Sequence, residues 1–156
     1  MRAMVLQRIG DPLVLHEIAR PEPGQGEVRL MIEACGVCRT DLHILDGELN
    51  EPVLPLVPGH EIVGRINAIG PGVAGLSMGQ HAGVPWLGKT CGVCSHCNAG
   101  RENLCDAPEF TGYTRNGGYA DYCVADARYV FPLSVTADPV ALAPLQWWAG
   151  SRCQWS

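Results

Sequence analysis

The chain has 156 residues, of which 47% are hydrophobic and 17% charged, so it is long enough for one domain with its own core. The formal net charge of −5 argues against nucleic-acid binding, which needs a basic surface. The 19 glycines and 12 prolines indicate turns and short strands rather than a helical bundle.

The N-terminal segment 1–10 does not resemble a secretory signal. Gln7 and Arg8 interrupt its apolar run, and no small-residue cleavage site follows. No apolar run reaches the length needed to cross a membrane. We therefore expect a cytoplasmic protein without membrane contact. In a reducing compartment, clustered cysteines bind metal more often than they form disulfides.

The predicted elements are mostly short strands. Runs at 3–9 and 13–18 flank a Gly-Asp-Pro turn and predict a hairpin or a meander. Residues 27–34 alternate polar and apolar side chains, which is typical of a half-buried strand. Residues 57–70 run from a turn into a strand, and further short strands are predicted at 80–86, 117–125 and 128–132. Short helices are predicted at 38–47 and 138–145. This pattern favours a mainly β barrel or sandwich with short helices.

Residues 70–75 match the dinucleotide-binding pattern G-x-G-x-x-G. That motif needs a helix that begins at the glycines, so that the pyrophosphate meets the helix N-terminus. The following residues, Leu-Ser-Met-Gly-Gln-His, have neither the periodicity nor the length of a helix. The segment is therefore predicted to be a connection between two β-strands.

Four cysteines lie within one short stretch, at Cys91, Cys94, Cys97 and Cys105. Two overlapping C-x-x-C pairs followed by a fourth cysteine indicate a tetrahedral Zn²⁺ site with four thiolate ligands. Such a site is closed and structural, because no position is left for a substrate. A disulfide cluster in a secreted protein is the alternative.

Cys38 and His60 form a second candidate metal site, with Asp41 and Glu61 close to them in sequence. A Cys/His pair suits a zinc ion whose remaining positions are open to water or substrate. A buried core cysteine and a surface histidine would explain the same residues without any metal, since free cysteine is often buried.

Cys35 and Cys123 are interpreted as core residues. Cys35 also forms a C-x-x-C pair with Cys38, which leaves open a thioredoxin-like redox function. No β-α-β pattern surrounds the pair, however, so the core interpretation is preferred.

Several of these motifs occur together in a known family. Residues 38–43 (Cys-Arg-Thr-Asp-Leu-His), 59–61 (Gly-His-Glu), the four-cysteine stretch and 117–121 (Gly-Gly-Tyr-Ala-Asp) follow in the same order. Over residues 1–145 the chain resembles the zinc-dependent alcohol dehydrogenases of the medium-chain dehydrogenase/reductase superfamily. The resemblance implies a GroES-like β-barrel catalytic domain, with a zinc lobe protruding at about 88–108.

The resemblance also implies a mechanism, in which a catalytic zinc lowers the pKa of the alcohol hydroxyl and NAD or NADP accepts hydride. Cys38 and His60 would be zinc ligands, with Glu61 as a transient or alternative ligand. Asp41 would fix the tautomer and orientation of His60.

Four further roles follow from the same resemblance. Thr40 would take the alcohol proton and His43 would pass it towards solvent, because the pKa of a histidine lies near neutral. Arg39 would contact the cofactor pyrophosphate. Trp86 would line the substrate pocket, with plain core packing as the alternative.

The chain departs from the family at its C-terminal end. The third catalytic ligand of the family is a cysteine in a segment like Ala-Pro-Leu-Leu-Cys-Ala-Gly, where this chain has Trp147 or Trp148. An indole N–H only donates hydrogen bonds and cannot bind zinc. Cys153 is the nearest substitute, but its register is wrong. Residues 146–156 are therefore interpreted as an atypical tail.

No Rossmann domain is expected in the chain, so NAD(P) is not expected to bind tightly and the isolated chain is expected to be inactive. We attribute this to truncation or a frameshift of a longer dehydrogenase. A non-enzymatic zinc-binding or interaction module and a redox or disulfide protein are the competing interpretations. A homo-oligomer is expected, because surface left uncovered by missing segments, together with Trp147, Trp148 and Trp155, would favour association.

Overall fold

The computed structural model describes residues 1–49, 52–134 and 136–146. In this part of the chain, strands far outnumber helices, as predicted. The strands are β1 (Arg2–Val5), β2 (Val14–Glu17), β3 (Glu27–Gly36), β4 (Glu61–Ile69), β5 (His81–Val84), β6 (Leu87–Lys89), β7 (Glu109–Phe110), β8 (Tyr122–Asp126) and β9 (Phe131–Pro132).

Five strands form an antiparallel sheet in the order β8-β3-β4-β5-β9. Strand β3 contains the alternating segment predicted from the sequence, and Val28 and Leu30 are fully buried in it. Strand β4 pairs with β3 from Val28↔Ile69 to Gly36↔Glu61. The sheet therefore brings the end of β3 next to the start of β4. Its core consists of Val28, Leu30, Ile62, Ile66, Ala82, Val84, Cys123, Ala125 and Val130.

Strands β1 and β2 form the predicted N-terminal hairpin. Isolated bridges at Ala3↔Ala120 and Leu6↔Leu56 join its first strand and the residue that follows to the rest of the domain. A second small pair, β6 with β7, was not anticipated from the sequence. These two strands flank the four-cysteine stretch.

The helices are short: α1 (Arg39–Leu45), α2 (Ser95–Asn98) and α3 (Pro139–Leu142). Helix α1 starts after Cys38, as predicted, and Gly47 lies in the left-handed region just after its end, with φ 75°. At the other predicted helix, Pro139 occupies the first turn and does not interrupt it, because proline fits that position.

Two strand predictions were too long. In the predicted strand 117–125, pairing as a strand begins only at Tyr122, because Gly117 and Gly118 lie against the backbone and side chains around Gly59 and Ile62. In the predicted strand 128–132, residues Ala127–Tyr129 form a 3-10 turn before β9 begins. The connection predicted at 70–75 is confirmed, since it joins the antiparallel strands β4 and β5.

The described residues contain no doubly wound α/β nucleotide-binding fold. Within the same ranges, no helix has both the length and the hydropathy that a bilayer crossing requires. The predictions for Trp147, Trp148, Cys153 and Trp155 fall outside the described residues.

Candidate metal centres

The first centre joins Cys38, His60 and Glu61, whose ligand atoms all lie within 4.8 Å of one another. Cys38 immediately precedes α1, and His60 and Glu61 stand at the start of β4. His60 is 1% exposed and Glu61 6% exposed, while Cys38 is half-buried. The sheet register brings these positions together, because Gly36 at the end of β3 pairs with Glu61.

Asp41 links the two halves of this centre. Its Oδ2 accepts from the backbone N–H of Cys38 at 2.9 Å, and its Oδ1 accepts from that of Gly59 at 3.1 Å. Oδ1 also lies 3.5 Å from Nδ1 of His60. One carboxylate that is 3% exposed thus fixes the segment before α1 and the segment before β4 relative to each other.

The pKa values of the two buried carboxyl groups, Asp41 and Glu61, shift in opposite directions. Burial alone would raise the pKa of Asp41, but the interaction with His60 and the hydrogen bonds from Cys38 and Tyr119 outweigh it, and the pKa is lowered. Burial raises the pKa of Glu61, and the interactions with His60 and Cys38 oppose this only in part. Asp41 is thus held as a carboxylate, whereas the described neighbours of Glu61 do not fully compensate for the burial of its charge.

The structure places Thr40 beside the metal centre, with Oγ1 3.6 Å from Sγ of Cys38. His43 lies one helical turn further on, half-buried, and its Nδ1 contacts the carboxylate of Glu48. Arg39 is exposed at the first position of α1. Arg39, Thr40 and His43 thus all lie on α1, the helix that begins directly after Cys38.

Trp86 forms one wall of the first centre. Its ring meets the ring of His60 edge-on, with centroids 4.9 Å apart and planes at 73°. The Trp86 ring also stacks with the rings of Phe110 and Tyr113, with centroid distances of 4.9 Å and 5.8 Å. These aromatic contacts fix the indole next to the candidate ligands.

The second centre consists of the four sulfur atoms of Cys91, Cys94, Cys97 and Cys105, again within 4.8 Å of one another. The Sγ atom of Cys91 lies 3.5 Å from that of Cys105 and 3.9 Å from that of Cys97. Four sulfurs around a zinc ion with 2.3 Å bonds would be about 3.8 Å apart. The described cysteines form no disulfide, so the spacing fits a metal site.

Backbone N–H groups point at these sulfur atoms. The N–H of Cys94 donates to Sγ of Cys91 at 3.4 Å, and that of Cys97 donates to Sγ of Cys94 at 3.5 Å. Such bonds stabilise thiolates, and those from Asp106 and Cys97 lower the pKa of Cys94 to about 6. Desolvation instead raises the pKa of Cys97 to about 11. A bound cation would stabilise all four thiolates.

Among the described residues, the two clusters of potential ligands contain the residues named from the sequence, but sequence reasoning missed two residues around the first centre. Tyr119 donates from its hydroxyl to Oδ2 of Asp41 at 2.9 Å. Gly36 leaves room for Glu61, because a Cβ there would lie 2.0 Å from Oε2 of that side chain. Tyr119 lies within the Gly-Gly-Tyr-Ala-Asp motif used for the resemblance, so a signal was present, but its partner could not be read from the sequence.

The comparisons with known proteins agree with this geometry. The profile of the alcohol dehydrogenase GroES-like domain matches residues 24–135. The chain belongs to the zinc-dependent alcohol dehydrogenase family. Its GroES-like fold, expected from the resemblance, is therefore confirmed.

The individual relatives are all longer than this chain. An alcohol dehydrogenase of Geobacillus stearothermophilus is 47% identical over 131 residues, which cover 83% of the chain and 39% of the relative. An NAD-dependent alcohol dehydrogenase of Sulfolobus acidocaldarius is 38% identical over a match that covers 90% of the chain and 44% of the relative. The cobalt- and zinc-bound thermostable alcohol dehydrogenase of Pyrobaculum aerophilum superposes with a TM-score of 0.85 at 32% identity. This match covers 94% of the chain and 44% of that structure. The chain thus spans less than half the length of these proteins and matches their N-terminal part.

Proposed function

We propose that this chain is the zinc-binding catalytic part of an NAD(P)-dependent alcohol dehydrogenase that interconverts an alcohol and an aldehyde or ketone. The observation that carries the proposal is the cluster of Cys38, His60 and Glu61 with Asp41 behind the histidine. A thiolate, an imidazole and a carboxylate suit zinc with one open position. A cation bound beside Glu61 would offset the cost of burying the charge of this carboxyl group, which fits the same assignment.

When bound, the zinc would supply Lewis-acid polarisation of the alcohol oxygen. Thr40, whose hydroxyl lies beside Cys38, accepts the alcohol proton in this proposal. His43 passes that proton to solvent, since it is half-exposed at the outer side of α1. Trp86 limits the space for the alcohol and excludes water from it.

The other components are assigned in the same way. Cys91, Cys94, Cys97 and Cys105 hold a structural zinc, since four thiolates leave no open position. Arg39, exposed at the start of α1, contacts the cofactor pyrophosphate. NAD or NADP itself requires residues beyond those that form this domain. We further propose that residues 1–145 act as one catalytic domain, with the zinc lobe at about 88–108.

Metal analysis tests the proposal directly. The purified chain should contain two zinc ions, and Cys38→Ser should contain one. Cys35→Ser is the matched control: it alters the other cysteine of the same C-x-x-C pair, which is not in the ligand cluster, and should keep two. Wild-type protein with a single zinc that is insensitive to Cys38→Ser would contradict a catalytic site. That result would support a non-enzymatic zinc-binding module instead.

A further inference from the structure

Tyr119 is held firmly next to the first metal centre. Its backbone carbonyl accepts from Met4 at 2.8 Å, and its N–H donates to the carbonyl of Pro58 at 3.0 Å. Its ring packs against the backbone of Gly59, where a Cβ would come within 2.6 Å of the ring. The ring cannot shift towards Gly59, so the position of the hydroxyl is fixed by the fold.

That hydroxyl determines the orientation of one carboxylate. Oδ2 of Asp41 accepts from the N–H of Cys38 and from the hydroxyl of Tyr119, each at 2.9 Å. With Oδ2 held by two donors, the carboxylate cannot rotate about its Cβ–Cγ bond without losing a hydrogen bond. Oδ1 is therefore directed at Gly59 and His60.

Nδ1 of His60 depends on this carboxylate. The nitrogen is buried and makes no hydrogen bond to any of the described residues, and Oδ1 of Asp41 lies 3.5 Å from it, at ion-pair distance. A neutral imidazole carries one proton, and the hydrogen bond made by one ring nitrogen decides which nitrogen is left for a metal. A carboxylate oxygen 3.5 Å from Nδ1 favours the tautomer with the proton on that nitrogen.

We propose that Tyr119 is a positioning residue for the Cys38/His60/Glu61 centre. Its hydroxyl holds the Asp41 carboxylate in the orientation that keeps the His60 proton on Nδ1 and presents Nε2 to the metal. This inference rests on the proposed function, because it assigns a role within the same zinc site. A purely structural hydroxyl would satisfy Asp41 without any effect on the imidazole.

The test is Tyr119→Phe, which removes one hydroxyl and leaves the ring in place. Tyr129→Phe is the matched control, because its hydroxyl lies 2.6 Å from Oγ1 of Thr90, remote in sequence from both Cys38 and His60. Tyr119→Phe loses the hydrogen bond to Asp41 and a longer contact to the carbonyl of Gly36 at 3.4 Å, and Tyr129→Phe loses the contact to Thr90. A general loss of stability would affect both variants. Thermal unfolding of the two variants checks that both remain folded.

The first readout needs no metal at the first centre. Long-range proton–nitrogen NMR of histidine-labelled chain, supplied with only enough zinc for the four cysteines, reports the tautomer of His60. Wild type and Tyr129→Phe should carry the proton on Nδ1. Tyr119→Phe should show a mixture with the proton partly on Nε2.

The second readout is the affinity for cobalt(II) at the first centre, followed by the thiolate charge-transfer absorption. Loss of a supporting partner typically weakens metal binding by about 10- to 100-fold, and Tyr119→Phe should weaken it by about 10-fold. Asp41→Asn should weaken it too. If Tyr119 acts through Asp41, adding Tyr119→Phe to Asp41→Asn should cause little further loss.

The two failures are distinguishable. If Tyr119→Phe keeps both the tautomer and the cobalt affinity of wild type, the inference is wrong and the proposed function stands. If wild type binds no cobalt outside the four-cysteine site, the proposed function is wrong. In that case the His60 tautomer in the two tyrosine variants still decides whether Tyr119 acts on the imidazole.

Discussion

At the scale of single residues, the first centre depends on two carboxyl groups with opposite roles. Asp41 accepts three hydrogen bonds and has a lowered pKa, so its contribution to stability is present above its usual pKa. That contribution is lost only as the pH falls through the lower pKa of the folded state. Glu61 has a raised pKa, so its charged form costs stability above the pKa of the unfolded chain.

Glu61→Gln should therefore raise the melting temperature at pH 7 by a few degrees when zinc fills only the four-cysteine site. The amide avoids the cost of burying a charge. The gain should disappear below the usual pKa of 4.5, where Glu61 is protonated in both the folded and the unfolded chain. Calorimetry at pH 7 and pH 4 measures both effects, with Glu17→Gln on the exposed end of β2 as the control. A less stable variant at pH 7 would contradict the assignment.

Sequence reasoning reached the ligands because the motifs keep them close together along the chain. Cys38 and Asp41 share one helical turn, and His60 and Glu61 are adjacent. Tyr119 could not be paired with Asp41 in this way, since their contact bridges 78 positions. The role of Gly36 also depended on the β3–β4 register, which periodicity alone does not determine.

At the scale of elements, the lobe around the four cysteines contains very little regular secondary structure. Helix α2 has four residues, and a 3-10 turn at Glu102–Leu104 adds three more. Isolated helices of this length are not stable in water. We therefore expect metal binding by the four sulfurs at its centre to supply most of the free energy that orders the lobe.

Cys94→Ser should consequently lose one zinc and lower the melting temperature, with new proteolytic cleavage between residues 91 and 105. Val93→Ser is the control, because Val93 is 77% exposed and lies in the same loop without being a potential ligand. Zinc analysis and limited proteolysis measure the outcome. Unchanged zinc content and melting in Cys94→Ser would rule out the structural metal site.

Among the elements, those with strong local signals were predicted well. The hairpin of β1 and β2, strand β3, helix α1 and the turn at 70–75 were all found from turn residues and periodicity. Residues 117–121 have the composition of a strand but are bent by tertiary contacts with the segment around Gly59. No local pattern records those contacts.

At the scale of the whole molecule, one small domain carries two groups of metal-ligand residues with different exposure. The first lies at the buried junction of β3, α1 and β4, whereas Cys91 of the second is exposed. The chain spans less than half the length of the relatives that it matches.

The 156-residue chain alone should show no steady oxidation of alcohols with NAD⁺ or NADP⁺. The described residues include no nucleotide-binding fold, and Arg39 by itself offers a single cation for the cofactor. A spectrophotometric assay of NAD(P)H formation, with an intact alcohol dehydrogenase as the positive control, measures this. Robust cofactor-dependent turnover by the isolated chain would prove the prediction wrong.

The expected homo-oligomer stays a prediction, as does the cytoplasmic location. The tryptophans on which the former depended are Trp147, Trp148 and Trp155, which fall outside the described residues. Light scattering of the purified chain would measure its mass, and a clean monomer would contradict the expected association.

The spacing of contacts along the chain also affects the order in which the two centres can form during folding. Within the lobe, the bond from Cys91 to Cys105 closes a loop of 14 positions, whereas the bond from Tyr119 to Asp41 closes one of 78. Because of chain entropy, closing the longer loop costs about 1.5 kcal/mol more free energy. This closure also requires β3 and β4 to be paired. A nascent chain can thus take up zinc in the lobe while the first centre is still incomplete, and a metal-loaded folding intermediate would carry its ion there.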